Sequence, residues 1–367
     1  MQKSKTRLGL LRRFDKFMRS LKQDDRIAIV HDTDPDGLCA AVILAKLVER
    51  LRGKKIDLRL NLDKKEYAVT AQMSKKMRAK QINKLLTVDF SMDQNSGMIK
   101  KFERFMSLLI IDHHKLYNNV NSKKTILIKP QLFTNIDPAR YCGAKLSYDL
   151  SNRLVDMTDL DWLAAVASIA DIATKPWKRW LERVLKKHKV RPAKELFKTK
   201  FGKVASILNS AEVYSVKNTA ECFRTLYKAN TPDDILRSKL TRFKRVIGKE
   251  INYWLSKFKQ KAEKHKDLYW FEIRPKHNIH SPMATFLGQR YPHNTVIIAS
   301  VRRDSVAVSA RRSDKAVAVN ELLEKATAGL KRSSAGGHVP AAGAGLRKKD
   351  YLTFKKRVLR LARNQRQ

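Results

Sequence analysis

Three times in the first third of the chain, a run of apolar residues stops abruptly at a carboxylate. Ile27-Ala28-Ile29-Val30 ends at His31-Asp32, Leu85-Leu86-Thr87-Val88 at Asp89, and Leu108-Leu109-Ile110-Ile111 at Asp112-His113-His114. Short continuous apolar runs bounded by polar residues predict strands buried on both faces. The spacing predicts strands over Arg26–Val30, Ile56–Leu62, Leu85–Phe90, Leu108–Ile111 and Thr125–Ile128. Between and after them come helical patterns, Leu38–Leu51, Ala144–Leu154 and Leu160–Ile172, with a turn at Pro138-Ala139-Arg140-Tyr141-Cys142-Gly143 opening the second. From residue 24 to about 177 this alternation predicts a parallel sheet with helices on both faces.

Beyond Trp177 the strand signal fades. Helical periodicity dominates to Lys266, and basic residues crowd in from Arg237 through Lys244, Arg245 and Lys249 to Lys266. Trp177, Trp180, Tyr253 and Trp254 in this stretch could stack nucleobases, although aromatics at helical spacing more often fill a core. Alternation then returns: Leu268–Ile273, Thr295–Ser300 and Val306–Ala310 read as strands, Val317–Leu330 as a helix, and Asp350 to Arg363 as a final basic helix after a glycine-rich loop. The expected fold class is α/β. Residues 1–177 form a parallel-sheet domain, 178–266 a basic helical connector, and 267–367 a smaller α+β domain.

Composition narrows the class of partner. Lys plus Arg number 78 against 35 Asp plus Glu, a formal charge of +43. Such an excess points to a polyanion, nucleic acid before an acidic membrane surface. The three cysteines, Cys39, Cys142 and Cys222, have no zinc spacing, and an odd count argues against a disulfide framework, so a reducing, cytoplasmic setting is expected. The basic start, Met1 to Gln23, puts Leu8, Leu11, Phe14 and Met18 on about one helical face, a packed surface helix rather than a membrane anchor. No run approaches the ~20 apolar residues of a span.

Candidate chemistry sits at the strand ends, where ligands bind in open α/β sheets. Asp32-Thr33-Asp34-Pro35-Asp36-Gly37 sets three carboxylates at alternate positions, although a plain strand-to-helix turn would look much the same. Asp89, Asp112-His113-His114 and Asp171 supply more oxygen and nitrogen donors. Carboxylates with a minority of His suit manganese or magnesium better than zinc. A carboxylate-rich site with room for two ions reads as metal-assisted phosphoryl hydrolysis.

Taken in order, Asp32-Thr33-Asp34-Pro35-Asp36-Gly37, Val88-Asp89-Phe90-Ser91, Asp112-His113-His114 and Asp171 resemble the four motifs of the DHH phosphoesterases. Gly336-Gly337-His338-Val339-Pro340-Ala341-Ala342-Gly343 resembles the glycine-rich motif of the DHH-associated C-terminal domain, and Ser309-Ala310-Arg311 its Ser-x-Arg strand. Two departures stand out: His31 precedes Asp32, leaving open which of them meets metal, and Ala335 stands where a third glycine is common. The resemblance implies two divalent cations, Mn2+ preferred with Mg2+ as the alternative, held by Asp34, Asp36, Asp89, His113, Asp171 and either Asp32 or His31. Asp89 would bridge both ions. His114 would contact the scissile phosphate or orient a metal ligand from behind, and Gly336, Gly337, His338 and Arg311 would bind substrate from across an interdomain cleft.

The family spans RecJ-like exonucleases, short-oligonucleotide nucleases and cyclic-dinucleotide phosphodiesterases. The basic excess favours longer strands, because each phosphate neutralised adds affinity. The expected activity is therefore exonucleolytic hydrolysis of single-stranded DNA or RNA to nucleoside 5′-monophosphates. The rival in the same class is an enzyme of short oligonucleotides or cyclic dinucleotides. The rival of another class is an inactive nucleic-acid-binding relative among replication or repair proteins.

Overall fold

The computed structural model describes residues 2–62, 68–193 and 195–364. They fall into two compact units that divide within a long helix, after Lys244.

The first unit is built on a five-stranded, wholly parallel sheet: β1 (Ile27–His31), β2 (Leu58–Asn61), β3 (Lys84–Val88), β4 (Ser107–Ile111) and β5 (Thr125–Ile128), in the order β2-β1-β3-β4-β5. Its helices are α1 (Gln2–Arg19), α2 (Pro35–Arg52), α3 (Ala71–Ala79), α4 (Ser96–Glu103), α5 (Pro130–Phe133), α6 (Gly143–Ser151), α7 (Asp161–Ala170), α8 (Lys178–Lys187), α9 (Lys200–Tyr214), α10 (Thr219–Lys228) and α11 (Pro232–Leu236). The sequence runs lack polar alternation because both faces are covered. Ile27, Ile29, Leu86, Val88, Leu109 and Ile111 pack with α2, α6, α7 and α9. Their neighbours Ala28, Val30, Leu85, Leu108 and Ile110 pack with Met73 and Met77 of α3 and Ile99 and Phe102 of α4. Each fully buried Leu or Ile contributes about 1.5–3 kcal/mol.

The helix expected at the start of the chain forms, but its buried face is rotated. Leu10, Phe14, Phe17, Met18 and Leu21 are buried, whereas Leu8 is 54% exposed. Among the described residues no helix is long and apolar enough to cross a membrane. The segment expected as a connector is helical to Lys261 apart from short breaks, and Phe201, Leu208, Cys222 and Leu226 in its first part join the core that covers the parallel sheet.

In the second unit, which α12 (Thr241–Lys261) enters, a six-stranded mixed sheet runs β10-β11-β9-β8-β7-β6. Its strands are β6 (Glu263–His265), β7 (Leu268–Ile273), β8 (Thr295–Val301), β9 (Ser305–Arg311), β10 (Ser334–His338) and β11 (Ala341–Arg347). Only β7 and β8 pair in parallel. Leu322 and Leu323 of α14 (Val319–Thr327) and Phe354 of α15 (Tyr351–Asn364) share a core with Trp270, whose indole N–H donates to the Tyr351 hydroxyl at 2.9 Å. A further helix, α13 (His280–Arg290), packs on β8 and β9.

The glycine-rich segment is not a loop. Gly336 and Gly337 lie in β10, half of a tight antiparallel hairpin with β11. Gly337 has φ +138°, and a Cβ there would sit 2.5 Å from the Ala341 carbonyl oxygen. That glycine is required by close approach of its own partner strand, while a Cβ on Gly336 would meet open space.

Candidate metal centre

The strand order reverses direction between β1 and β3, and ligand crevices in open parallel sheets form outside the carboxyl ends of strands at such a switch. Asp32 follows β1, Asp89 follows β3 and Asp112 follows β4, so the three apolar runs deliver their carboxylates to one edge. Asp34 caps α2, its Oδ1 accepting from the Gly37 amide at 2.9 Å, with Pro35 fixing the first helical turn. A Cβ on Gly37 would lie 2.5 Å from the Asp32 carbonyl oxygen, so this turn needs glycine.

Asp36 is held from far along the chain. Its carboxylate accepts from the first amides of α6, Gly143 at 2.6 Å and Ala144 at 2.8 Å. A helix N-terminus favours a negative group there. Gly143 permits the approach: a Cβ on it would lie 3.2 Å from both Asp36 Oδ2 and Asp89 Cβ. Asp89 itself has φ +65°, the left-handed region, rare for a non-glycine residue and found where a site stores strain. His113 donates from Nδ1 to the Pro138 carbonyl at 3.1 Å. That leaves Nε2 facing Asp89 Oδ1 at 3.2 Å, Asp171 Oδ2 at 3.5 Å and Asp36 Oδ2 at 3.8 Å. Burial and the neighbouring His114 push the His113 imidazole down, which keeps Nε2 a lone-pair donor.

Donor atoms of Asp32, Asp34 and Asp89 lie within 4.8 Å of one another, as do those of Asp36, His113 and Asp171, and those of Asp89, His113 and His114. Asp89 is 2% exposed and its Oδ1 has no hydrogen-bond partner. Burial, then Asp36 and Asp34, pushes the Asp89 carboxyl well above the ordinary range. Carboxylates this close and this dry call for a cation, and oxygen donors with one imidazole suit a hard divalent ion. His31 takes no part. Its Nε2 is 2.8 Å from the Arg59 guanidinium, its Nδ1 meets the Asp32 carbonyl, and its ring stacks on Phe223. Of the two open alternatives, Asp32 is the one in the cluster.

One buried assembly carried no sequence signal. Lys129, wholly buried just beyond β5, places Nζ 2.8 Å from both Asp93 Oδ1 and Asp112 Oδ2, and donates to the Lys115 carbonyl at 2.7 Å. Asp112 Oδ1 in turn accepts from the His113 and His114 amides and from His114 Nδ1 at 2.8 Å. Against the cost of burial, Asp112 pushes the His114 imidazole up to about 9, so it is a cationic donor at neutral pH. A lone lysine after a strand looks like a surface residue; only the facing carboxylates reveal otherwise.

In the second unit the register aligns His338 with Ala341 and Ala341 with Arg311, one row across β10, β11 and β9. Residues in one row share a sheet face. Among the described residues the Arg311 guanidinium meets neutral partners only, Thr285 Oγ1 and Ser281 Oγ at 3.2 Å and the Ala310 carbonyl at 2.9 Å. Burial lowers it to about 10. Beside it His280, also missed from sequence, keeps a buried Nδ1 without a partner. Burial, then Arg302 and Arg311, lowers that imidazole to about 4. A half-buried guanidinium with no carboxylate partner among the described residues can receive an anion.

Residues 26–175 match the DHH family, N-terminal domain, and residues 274–364 match the DHHA1 domain. The chain thus carries a DHH-type N-terminal domain followed by a DHHA1 domain. Its fold is that of RecJ in complex with Mn2+ from Thermus thermophilus, with a TM-score of 0.73 at 19% identity over 96% of this chain and 55% of that one. An exonuclease RecJ bound to manganese gives 0.69 at 19% identity, over 96% and 94% of the two chains. CDC45 from Entamoeba histolytica gives 0.60 at 10% identity, over 96% and 98%. The chain thus spans little more than half the length of the Thermus RecJ. No curated protein matches its sequence.

Proposed function

We propose that this chain, with its DHH and DHHA1 domains, is a manganese-dependent phosphodiesterase that hydrolyses single-stranded nucleic acid exonucleolytically, releasing nucleoside 5′-monophosphates. The observation that carries the reading is the dry cluster around Asp89, whose free Oδ1 and φ of +65° mark a carboxylate held for a ligand rather than for the fold. Asp32, Asp34, Asp36, Asp89, His113 and Asp171 would hold two divalent cations, Asp89 between them. Such cations lower the pKa of an attacking water and stabilise charge building on the phosphoryl oxygens. With Nδ1 held by Asp112, His114 as an imidazolium would donate from Nε2 to the scissile phosphate. Arg311 and His338 bind a phosphate of the strand, Arg311 through its planar fork. The two RecJ structures carrying manganese support the choice of ion.

The charge of +43 favours a strand over a dinucleotide, which has few phosphates to neutralise. The complete donor set speaks against an inactive relative. A product time course on 5′- and 3′-labelled single-stranded DNA and RNA of several lengths, with Mn2+ and with Mg2+, tests the reading. Stepwise mononucleotide release supports it. Turnover confined to dinucleotides moves the assignment to the short-substrate enzymes, and no turnover with either metal refutes it.

A further inference from the structure

A second feature of the first unit lies outside the donor cluster. An open pocket of about 530 Å³ is lined by Lys145 and Asp149 of α6 and by Trp177, Trp180, Arg179 and Arg183 at the start of α8. We propose that it is a binding site for one base and the flanking phosphodiesters of a single-stranded nucleic acid. The proposal rests on the nucleic-acid reading above, but its test scores binding without turnover.

The indoles are three residues apart, one turn of α8, while Leu181, Val184 and Leu185 anchor the helix to the core. Trp177 is fixed by its indole N–H, which donates to the Arg140 carbonyl at 2.7 Å. The Lys145 ammonium lies 4.3 Å from the Trp177 ring centre and 4.5 Å from that of Trp180, locking both rings from the protein side. Both remain only half-buried, so part of each indole lines the opening. The one acid in the wall is already satisfied: Asp149 takes the Lys145 ammonium at 2.6 Å and the Tyr141 hydroxyl at 2.7 Å. Lys178, Arg179 and Arg183 are exposed and, among the described residues, have no ion pair.

Held aromatic surface ringed by uncompensated cations is what a stacked base between two phosphates requires. A quaternary ammonium is disfavoured, because Lys145 already fills the cage and three further cations would repel it. An acidic peptide would satisfy the charges and leave the indoles unused. Residues beside the pocket also hold parts of the donor cluster in place. Lys145 directly follows the two amides that grip Asp36, and the Arg140 guanidinium donates to the Ile172 carbonyl beside Asp171. Nothing in the wall presents a fixed set of donors and acceptors to a base edge, so binding is sequence-tolerant.

The test is fluorescence anisotropy of the full chain with labelled oligodeoxythymidylate and oligouridylate in EDTA, across a salt series, alongside tryptophan emission. Trp180→Leu should weaken binding roughly tenfold, the loss expected for one stacked base. The surface variant Arg179→Gln/Arg183→Gln, whose folding is not in question, should flatten the slope of log affinity against log salt by about 1.4, at about 0.7 per phosphate on a single strand. Saturation should quench tryptophan emission in the wild type and less in Trp180→Leu. Equal effects on both polymers assign the shared chemistry, and an effect on one assigns the pocket to that polymer. Wild-type affinity and slope in the double variant would overturn the proposal, as would equal quenching by polyglutamate of matched charge. Normal binding by the variants with intact hydrolysis sinks the pocket alone; binding without hydrolysis by the wild type sinks the enzyme reading alone.

Discussion

Replacing Lys129 by methionine removes the one cation that Asp93 and Asp112 share. The side chains of Lys129, Asp93 and Asp112 are all 0% exposed. At 2.8 Å each ion pair is worth about 6 kcal/mol of Coulomb attraction at an effective dielectric of about 20, much of it offset by desolvation. Methionine fills nearly the same volume but leaves Asp93 without a cation and Asp112 with His114 alone, and removing one partner of a buried pair costs about 3–5 kcal/mol. For a unit of about 240 residues, 1 kcal/mol corresponds to about 2 °C, so Lys129→Met should lower the melting temperature of the first unit by about 6–10 °C. The damage extends to function, because Asp112 fixes the backbone of His113 and the ring of His114. Losing a partner of this kind behind a metal ligand weakens metal binding about 10–100-fold. Calorimetric melting and manganese titration read the two effects. Adding Asp93→Asn should recover part of the stability, since it removes one stranded charge. A shift under about 2 °C, or an Asp93→Asn effect that simply adds, would refute the account of the triad.

Three further outcomes follow from the geometry. Asp89→Asn removes repulsion from an overcrowded cluster, so without metal the variant should melt above the wild type, by about 1–2 kcal/mol; manganese should then stabilise it far less than it stabilises the wild type, measured by melting with and without the ion. Gly143→Ala presses a methyl against Asp36 and Asp89, and should cost about 1–3 kcal/mol as overpacking while lowering manganese affinity in calorimetry. His280 is held down to about 4 against an ordinary value near 6.5, so the folded state resists a proton that the unfolded chain accepts. Its stability is fully present above about pH 6.5 and is lost as pH falls toward 4, by up to about 3 kcal/mol, and His280→Gln should flatten that part of the melting-against-pH curve.

Runs such as Leu108–Ile111 made the parallel sheet legible, because strands covered on both faces need no polar alternation, and the carboxylates closing those runs pointed to the ligand edge. The Gly336-Gly337 segment was read as a loop because glycine and alanine carry no β-branched signal; the pairing that makes it a strand comes from β11. Helix α13 went unrecognised, and with it His280, because Pro282 and Gly288 interrupt a weakly amphipathic stretch. Asp36 was legible as a donor, but the amides that hold it sit over a hundred residues away, and no local pattern carries such a contact. Lys129 was invisible for the same reason.

Five carboxylates, Asp32, Asp34, Asp36, Asp89 and Asp171, gather at one edge of a molecule whose net charge is +43. Near and far fields therefore have opposite sign. At low salt, where the Debye length reaches about 30 Å, a free divalent cation is repelled by the net charge before it nears the carboxylates; at ordinary salt, with a Debye length of about 8–10 Å, that repulsion is largely screened. A nucleic-acid strand is attracted throughout, and it brings a condensed layer of cations with it. Added salt should accordingly speed the loading of free manganese while slowing the arrival of a nucleic-acid strand.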